Sequence, residues 1–217
     1  MKSDIELRRD VEQELEWEPS IDARRIGVSV ADGIVTLTGV VDSYSEKWKA
    51  ERVVERLAGV RGIANDIVVE PTAERSDTDI AKAAVDALKW NVLVPSEKIK
   101  VKVNKGWVRL TGEVNWDYQR RAAERAVRDL PGVKGITNLI SVVPSVAPDH
   151  VKKKIEEALT REALLDAKGI EVDVSGSTIT LRGTVRSWAE RREAEMAAWS
   201  APGVSEVRNE ISVRAAA

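Results

Sequence analysis

The sequence predicts an α+β protein made of three tandem α-β-β-α-β modules, each a mixed three-stranded sheet with two helices on one face. Three observations carry this reading. A seven-residue stretch occurs three times, as VTLTGVV at 35–41, VRLTGEV at 108–114 and ITLRGTV at 179–185. Its glycines, Gly39, Gly112 and Gly183, lie 73 and 71 residues apart, and the same offsets relate nearly every other landmark. Apolar residues follow helical spacing before each copy and strand spacing around it. A repeat of this period takes precedence over what length alone suggests.

Each module opens with a helix. Leu7, Val11 and Leu15 recur as Ile80, Ala84 and Leu88, then as Val151, Ile155 and Leu159, a spacing that lines one helix face. Ser3 or Asp4, Ser76 or Asp77, and Pro148 with Asp149 are the start signals. A strand follows, carrying Ile26, Val28 and Val30, Ile99, Val101 and Val103, or Ile170, Val172 and Val174. A glycine-containing turn (ADG, NKG, SGS) joins it to the repeated strand as a β-hairpin. In the repeated strand apolar and polar residues alternate, so one face is buried. Its glycine marks a bulge, a bend or a close backbone approach.

The second helix is expected over about 45–57, 117–130 and 188–201. Its inner face is Ala50, Val53, Val54 and Leu57, with Ala123, Ala126, Val127 and Leu130 as equivalents. Gly59, Gly132 and Gly203 are expected to end it. The last strand carries Ile67 and Val69, Ile140 and Val142, or Ile211 and Val213. A β-α-β step predicts a right-handed crossover between parallel strands. The modules run 3–70, 76–143 and 148–214, joined by the short segments PTAERS and PSVAP. Each has too few residues for an ample core, which predicts packing between modules.

Composition narrows the function. Hydrophobic residues are 43% and charged residues 32%, which suits a globular chain. No apolar run reaches the roughly 18 residues of a membrane span. The N-terminus is acidic and amphipathic and does not read as a signal peptide. The expected location is therefore cytoplasmic, or periplasmic if a leader was removed. With no Cys, and with one His (His150) in a linker, thiolate chemistry and the usual zinc sites are excluded. No Ser/His/Asp set, P-loop or dinucleotide fingerprint is present. The chain is read as non-enzymatic, with no cofactor and no metal.

At this point helix, hairpin with a V-x-L-x-G-x-V strand, helix and G-V-x-x-(I/V)-x-N resemble the BON (bacterial OsmY and nodulation) domain, three times in register. The resemblance implies a bacterial, stress-related protein, often of the envelope, that associates with anionic phospholipid or other envelope surfaces. The alternative is a protein-interaction or chaperone-like module for hydrophobic protein segments. The segments GVRG and GVKG also resemble the loop of KH domains, but the third copy reads GVSE. A structural glycine explains all three, and no nucleic-acid partner is expected.

Surface residues suggest where a partner would bind. The modules carry net charges of −6, +4 and −1. The chain has seven Trp and no Phe. Trp17 and Trp90 follow the first helix, while Trp116 and Trp188 stand at the start of the second. The hairpin brings these two places to one pole of a module. There the Trp could cap the small core, bury against a neighbouring module or meet a partner. The candidate lipid- or partner-binding residues are Trp90, Trp116, Lys89, Arg120 and Arg121 in the basic middle module, with Trp17 and Trp188 at equivalent poles. Trp48 and Trp199 fall on second-helix flanks.

Overall fold

The computed structural model describes residues 2–145, 151–161 and 169–214. His150 and the start signal at Pro148 and Asp149 lie outside the described residues. The first module runs α1 (Asp4–Trp17), β1 (Ile26–Ala31), β2 (Ile34–Val41), α2 (Tyr44–Glu55), β3 (Gly62–Asn65) and β4 (Val68–Val69). The second runs α3 (Asp77–Trp90), β5 (Ile99–Asn104), β6 (Trp107–Val114), α4 (Asp117–Arg128) and β7 (Gly135–Val142). The third runs α5 (Val151–Arg161), β8 (Ile170–Ser175), β9 (Thr178–Val185), α6 (Trp188–Trp199) and β10 (Glu206–Val213).

In every module the repeated strand is central. It pairs antiparallel with the strand before it and parallel with the one after the second helix. Leu37, Leu110 and Leu181 are completely buried at mid-strand. The first helices cover them with Leu7, Val11 and Leu15, Ile80, Ala84 and Leu88, and Val151, Ile155 and Leu159. The alternate residues of the middle sheet, Lys100, Lys102 and Arg109, face outward and are exposed. This is the expected α+β module with both helices on one face.

The helix starts divide labour between adjacent residues. Ser3 and Ser76 are the N-caps, accepting hydrogen bonds from the backbone of Glu6 and Asp79. The neighbouring aspartates reach across the module instead. Asp4 accepts the backbone N–H groups of Asp32 and Gly33 at 2.9 and 3.0 Å. Asp77 does the same for Lys105 and Gly106 at 2.7 and 2.8 Å. In both hairpin turns the two residues have positive φ, the geometry of a tight two-residue turn. The first helix is thereby tied to the hairpin tip.

The strand glycines stand at a close backbone approach. Gly39, Gly112 and Gly183 have φ of 127°, 140° and 132°. A Cβ there would lie 2.0, 2.1 and 1.9 Å from the carbonyl oxygens of Arg25, Lys98 and Gly169. Each of these residues directly precedes the first strand of its hairpin, so the opening chain crosses directly over the glycine.

Two expectations need correction. The second helix stops at Glu55, Arg128 and Trp199, two residues short of the expected ends. Leu57, Leu130 and Ala201 instead close a tighter turn, donating to the carbonyls of Val54, Val127 and Ala198. Pro131 and Pro202 then bar continuation in two modules. Gly59, Gly132 and Gly203 have positive φ in the turn beyond, rather than next to the last helical residue. The other difference is the final strand of the first module, which breaks at Asp66 and Ile67 into β3 and β4. Asp66 still donates to the Leu37 carbonyl at 2.8 Å, so the chain remains beside β2.

Leu110→Ala should cost about 2–5 kcal/mol in denaturant melts, and Thr111→Ala on the outward face under about 0.5 kcal/mol. Gly112→Ala should lose well over about 1 kcal/mol, because it combines an unfavourable φ with a backbone collision. Equal losses at Leu110 and Thr111 would refute the assigned facing, and a silent Gly112→Ala would refute the close approach.

Candidate functional site

The structure separates the candidate residues into two places. Trp90 ends α3 and is 87% exposed. Val92, two residues on, is 98% exposed, and Leu93 is half exposed. Lys89 and Lys98 flank this loop and are also exposed. Sequence reasoning missed Val92 and Leu93, although the first module has Pro19 and Ser20 at those positions. Trp17 is 84% exposed at the matching place in the first module. Trp116 is half-buried, and its aromatic neighbour is Tyr118, with ring centroids 6.5 Å apart. It occupies the N-cap position that Ser43 and Ser187 hold in the other modules. No hydroxyl is there to accept the Gln119 backbone N–H, which donates to the Trp116 carbonyl at 3.1 Å, while the Gln119 side chain accepts the N–H groups of Asn115 and Trp116.

Arg120, Arg121 and Trp188 are placed elsewhere. Arg120 and Arg121 both pair with Asp117, which is 2% exposed, Arg121 at 2.7 Å. Spacings of three and four residues on one helix bring these groups together. Arg120 also lies over the Trp199 ring, 4.5 Å from its centroid. Trp188 packs against the buried cluster of the first module. These three residues belong to a junction where the modules meet.

The junction is formed by the second helices. The start of α2 lies against the end of α4: Tyr44 packs on the neighbouring core, and Arg128 sits 3.7 Å from the Trp48 ring centroid. The start of α4 lies against the end of α6 through Arg120 and Trp199. The start of α6 returns to the end of α2, where Arg192 pairs with Glu55. The three contacts therefore close a ring. They are made by Trp48, Arg120 and Arg192 near the helix starts and by Arg128, Trp199 and Glu55 near the helix ends. Two joints place a cation over an aromatic face and the third is an ion pair. Trp48 and Trp199, read as helix flanks, are thus interface residues.

Burial is felt by the groups at these joints. The Tyr44 hydroxyl is pushed above its ordinary pKa by burial first and by the nearby Glu124 charge second. Burial also pulls Arg52 below its ordinary value. Arg192 is lowered by burial first and then by the Arg52 charge. Arg52 shares the Glu55 carboxylate with Arg192.

The repeated asparagine supports this arrangement. Asn65, Asn138 and Asn209 donate to the carboxylates of Glu51, Glu124 and Glu195 at 3.0, 3.2 and 3.0 Å. They also donate to the carbonyls of Lys47, Arg120 and Arg191. Each asparagine thereby locks its last strand to its second helix, which explains the terminal N of the G-V-x-x-(I/V)-x-N motif. Among the described residues, no group of three His, Asp or Glu side chains is placed to hold a metal ion. Nor is any helix among them long and apolar enough to cross a membrane.

Three mixed α+β modules, each with the same glycine and asparagine anchors, define a tandem-domain protein. The BON domain model matches residues 3–71, 76–144 and 149–215, so the chain belongs to the BON domain family. Osmotically-inducible protein Y of Escherichia coli is 29% identical over 125 residues, 55% of this chain and 62% of that protein. The chain thus matches less than two thirds of that relative's length. Among solved structures, two of CdsD, a structural protein of the type III secretion system of Chlamydia trachomatis, align over nearly the whole chain. One has 15% identity, coverage of 96% of this chain and 92% of that one, and a TM-score of 0.28. The other, the C-terminal domain, has 14% identity, coverage of 98% and 100%, and a TM-score of 0.27.

A charge exchange tests the ring. Glu55→Arg should destabilise the chain by crowding three cations, and Glu55→Arg combined with Arg192→Glu should recover part of the loss. The expected coupling energy is about 0.5–3 kcal/mol in a double-mutant cycle. Strict additivity would show that α6 does not close on α2.

Proposed function

We propose that this chain is a non-catalytic, stress-related binding protein whose middle module attaches to anionic phospholipid surfaces of the bacterial envelope. The observation that carries the reading is the loop after α3. Trp90, Val92 and Leu93 present exposed apolar side chains together, on the module of net charge +4. Trp is suited to the head-group region, where its ring is covered and its N–H stays wet. Lys89 and Lys98 would each add about 1 kcal/mol near an anionic surface, less at high salt. Membership of the BON family and the name of the osmotically-inducible relative support the stress-related part. Trp17, on the acidic first module, lacks this basic setting.

The site is Trp90 with Lys89 at the helix end, extended by Val92 and Leu93. Trp116 is the rim of the same module's pole. Arg120 and Arg121 are already engaged by Asp117, so their role is to hold the neighbouring module, as is that of Trp188. Co-sedimentation with phosphatidylglycerol and phosphatidylcholine vesicles tests the reading. Binding should require the anionic lipid, and Val92→Asp should weaken it by about tenfold or more, equivalent to ~1.4 kcal/mol. Undiminished binding by Val92→Asp and Trp90→Ser would sink the proposal. Salt-independent capture of unfolded protein instead of vesicles would favour a chaperone-like role.

A further inference from the structure

We propose that the crevice where the three second helices meet is a binding site for a phosphate group. The crevice is about 1170 Å³ and is lined by α2, α4 and α6 together with Trp48, Trp188 and Trp199. No single module contains it. Eight arginines and Lys49 line it against seven carboxylates. Three of those carboxylates, Glu51, Glu124 and Glu195, are engaged by the asparagine locks. Two more are shared: Glu55 serves Arg52 and Arg192, and Asp117 serves Arg120 and Arg121. Glu124 also pairs with Arg128 at 3.1 Å, and the cations still outnumber the carboxylates by nine to seven.

The second observation is independent of charge. Among the described residues, the buried side-chain polar atoms left without a hydrogen bond are Asp117 Oδ1, Arg128 Nε, Trp188 Nε1 and Trp199 Nε1. All four residues line this one crevice. Asp117 Oδ1 at least has the Arg120 guanidinium against it. The other three are N–H donors with no acceptor, and a buried donor without a partner is destabilising. Orphaned buried groups of this kind ask for an explanation, and they are gathered here rather than scattered.

The chemistry selects the ligand. Arg52 and Arg128 stack over Trp48, 4.8 and 3.7 Å from its centroid. Arg52 already donates to Glu55 and Arg128 to Glu124, but Arg128 Nε has no acceptor, and the guanidinium fork matches the oxygens of a phosphate. A phosphate offers several strong acceptors and negative charge, which answers both the orphaned donors and the cation surplus. A free phosphate and a phospholipid head group share this chemistry. The site is separate from the Trp90 loop, so neither proposal depends on the other.

The test is nuclear magnetic resonance of the full chain with labelled tryptophan, following the indole N–H signals. One arm titrates inorganic phosphate against chloride at equal ionic strength. The other uses a short-chain, monomeric phosphatidylglycerol. Trp188 and Trp199 should shift saturably, while Trp17 stays still in both arms and Trp90 stays still with inorganic phosphate. Response to phosphate with or without the lipid supports a general phosphate site, and response to the lipid alone supports a head-group site. Arg128→Gln should weaken binding at least about tenfold, whereas Lys102→Gln on the outward sheet should leave it unchanged. No saturable shift with either probe, shifts equally produced by chloride, or full affinity in Arg128→Gln would overturn the proposal. The unmutated titration decides the matter even if Arg128→Gln does not fold.

Discussion

Each module depends on a place where there is no room for a β-carbon. The carbonyl that precedes the first strand presses against the glycine of the central strand, at Gly39, Gly112 and Gly183. That contact sets where the hairpin ends, because Ile26, Ile99 and Ile170 are paired with those glycines. With the hairpin fixed at that end and its turn tied by Asp4 or Asp77 at the other, the alternation along the strand has one outcome. Leu37, Leu110 and Leu181 go inward, and the first helix has a surface to cover.

What the module lacks is size. A core built on about three helix residues and a few strand residues buries modest area. The chain responds by making its second helices do two jobs. Their inner faces fill the module, with Ala50, Val53 and Val54 or Ala123 and Val127. Their flanks meet the other modules. The buried side chains of the second and third modules run into one another as one cluster, while the first keeps its own and borrows Trp188. Small residues inside and large amphipathic ones on the flanks allow close helix packing and a polar junction at once.

Much of this was legible in the sequence, because period-two and helical spacing recur three times in register. The modules, their element order and the central strand follow from that pattern alone. The labour of Asp4 and Asp77 was not legible: an Asp beside a capping Ser reads as a start signal, and only the tertiary position of the turn shows otherwise. At the candidate site, the exposure of Trp17 and Trp90 follows from their place at the very end of an amphipathic helix. The inward turn of Arg120 and Arg121 had a sequence signal in the Asp117 spacing, but burial of that aspartate is a tertiary feature that spacing does not carry. Trp48 and Trp199 looked like flank substitutions because their partners stand at different repeat positions in different modules. Pairing across modules cannot be seen by aligning the modules to each other.

The unlike residues at the ring's three joints have a consequence for how the chain comes into being. Identical copies joined by short segments could pair in any order, or with copies on another chain. Here Trp48 has Arg128 opposite, Trp199 has Arg120, and Glu55 has Arg192, so running the ring in the opposite order would set Arg192 against Arg128 and Trp48 against Trp199. The joint that closes the ring links residues 137 positions apart. Contacts of such separation form late. During synthesis the first two modules would therefore emerge with one face of each second helix bare. That face is covered only when the third arrives, so the last module acts as the clasp that completes assembly and removes the chain's own unpaired surfaces from circulation.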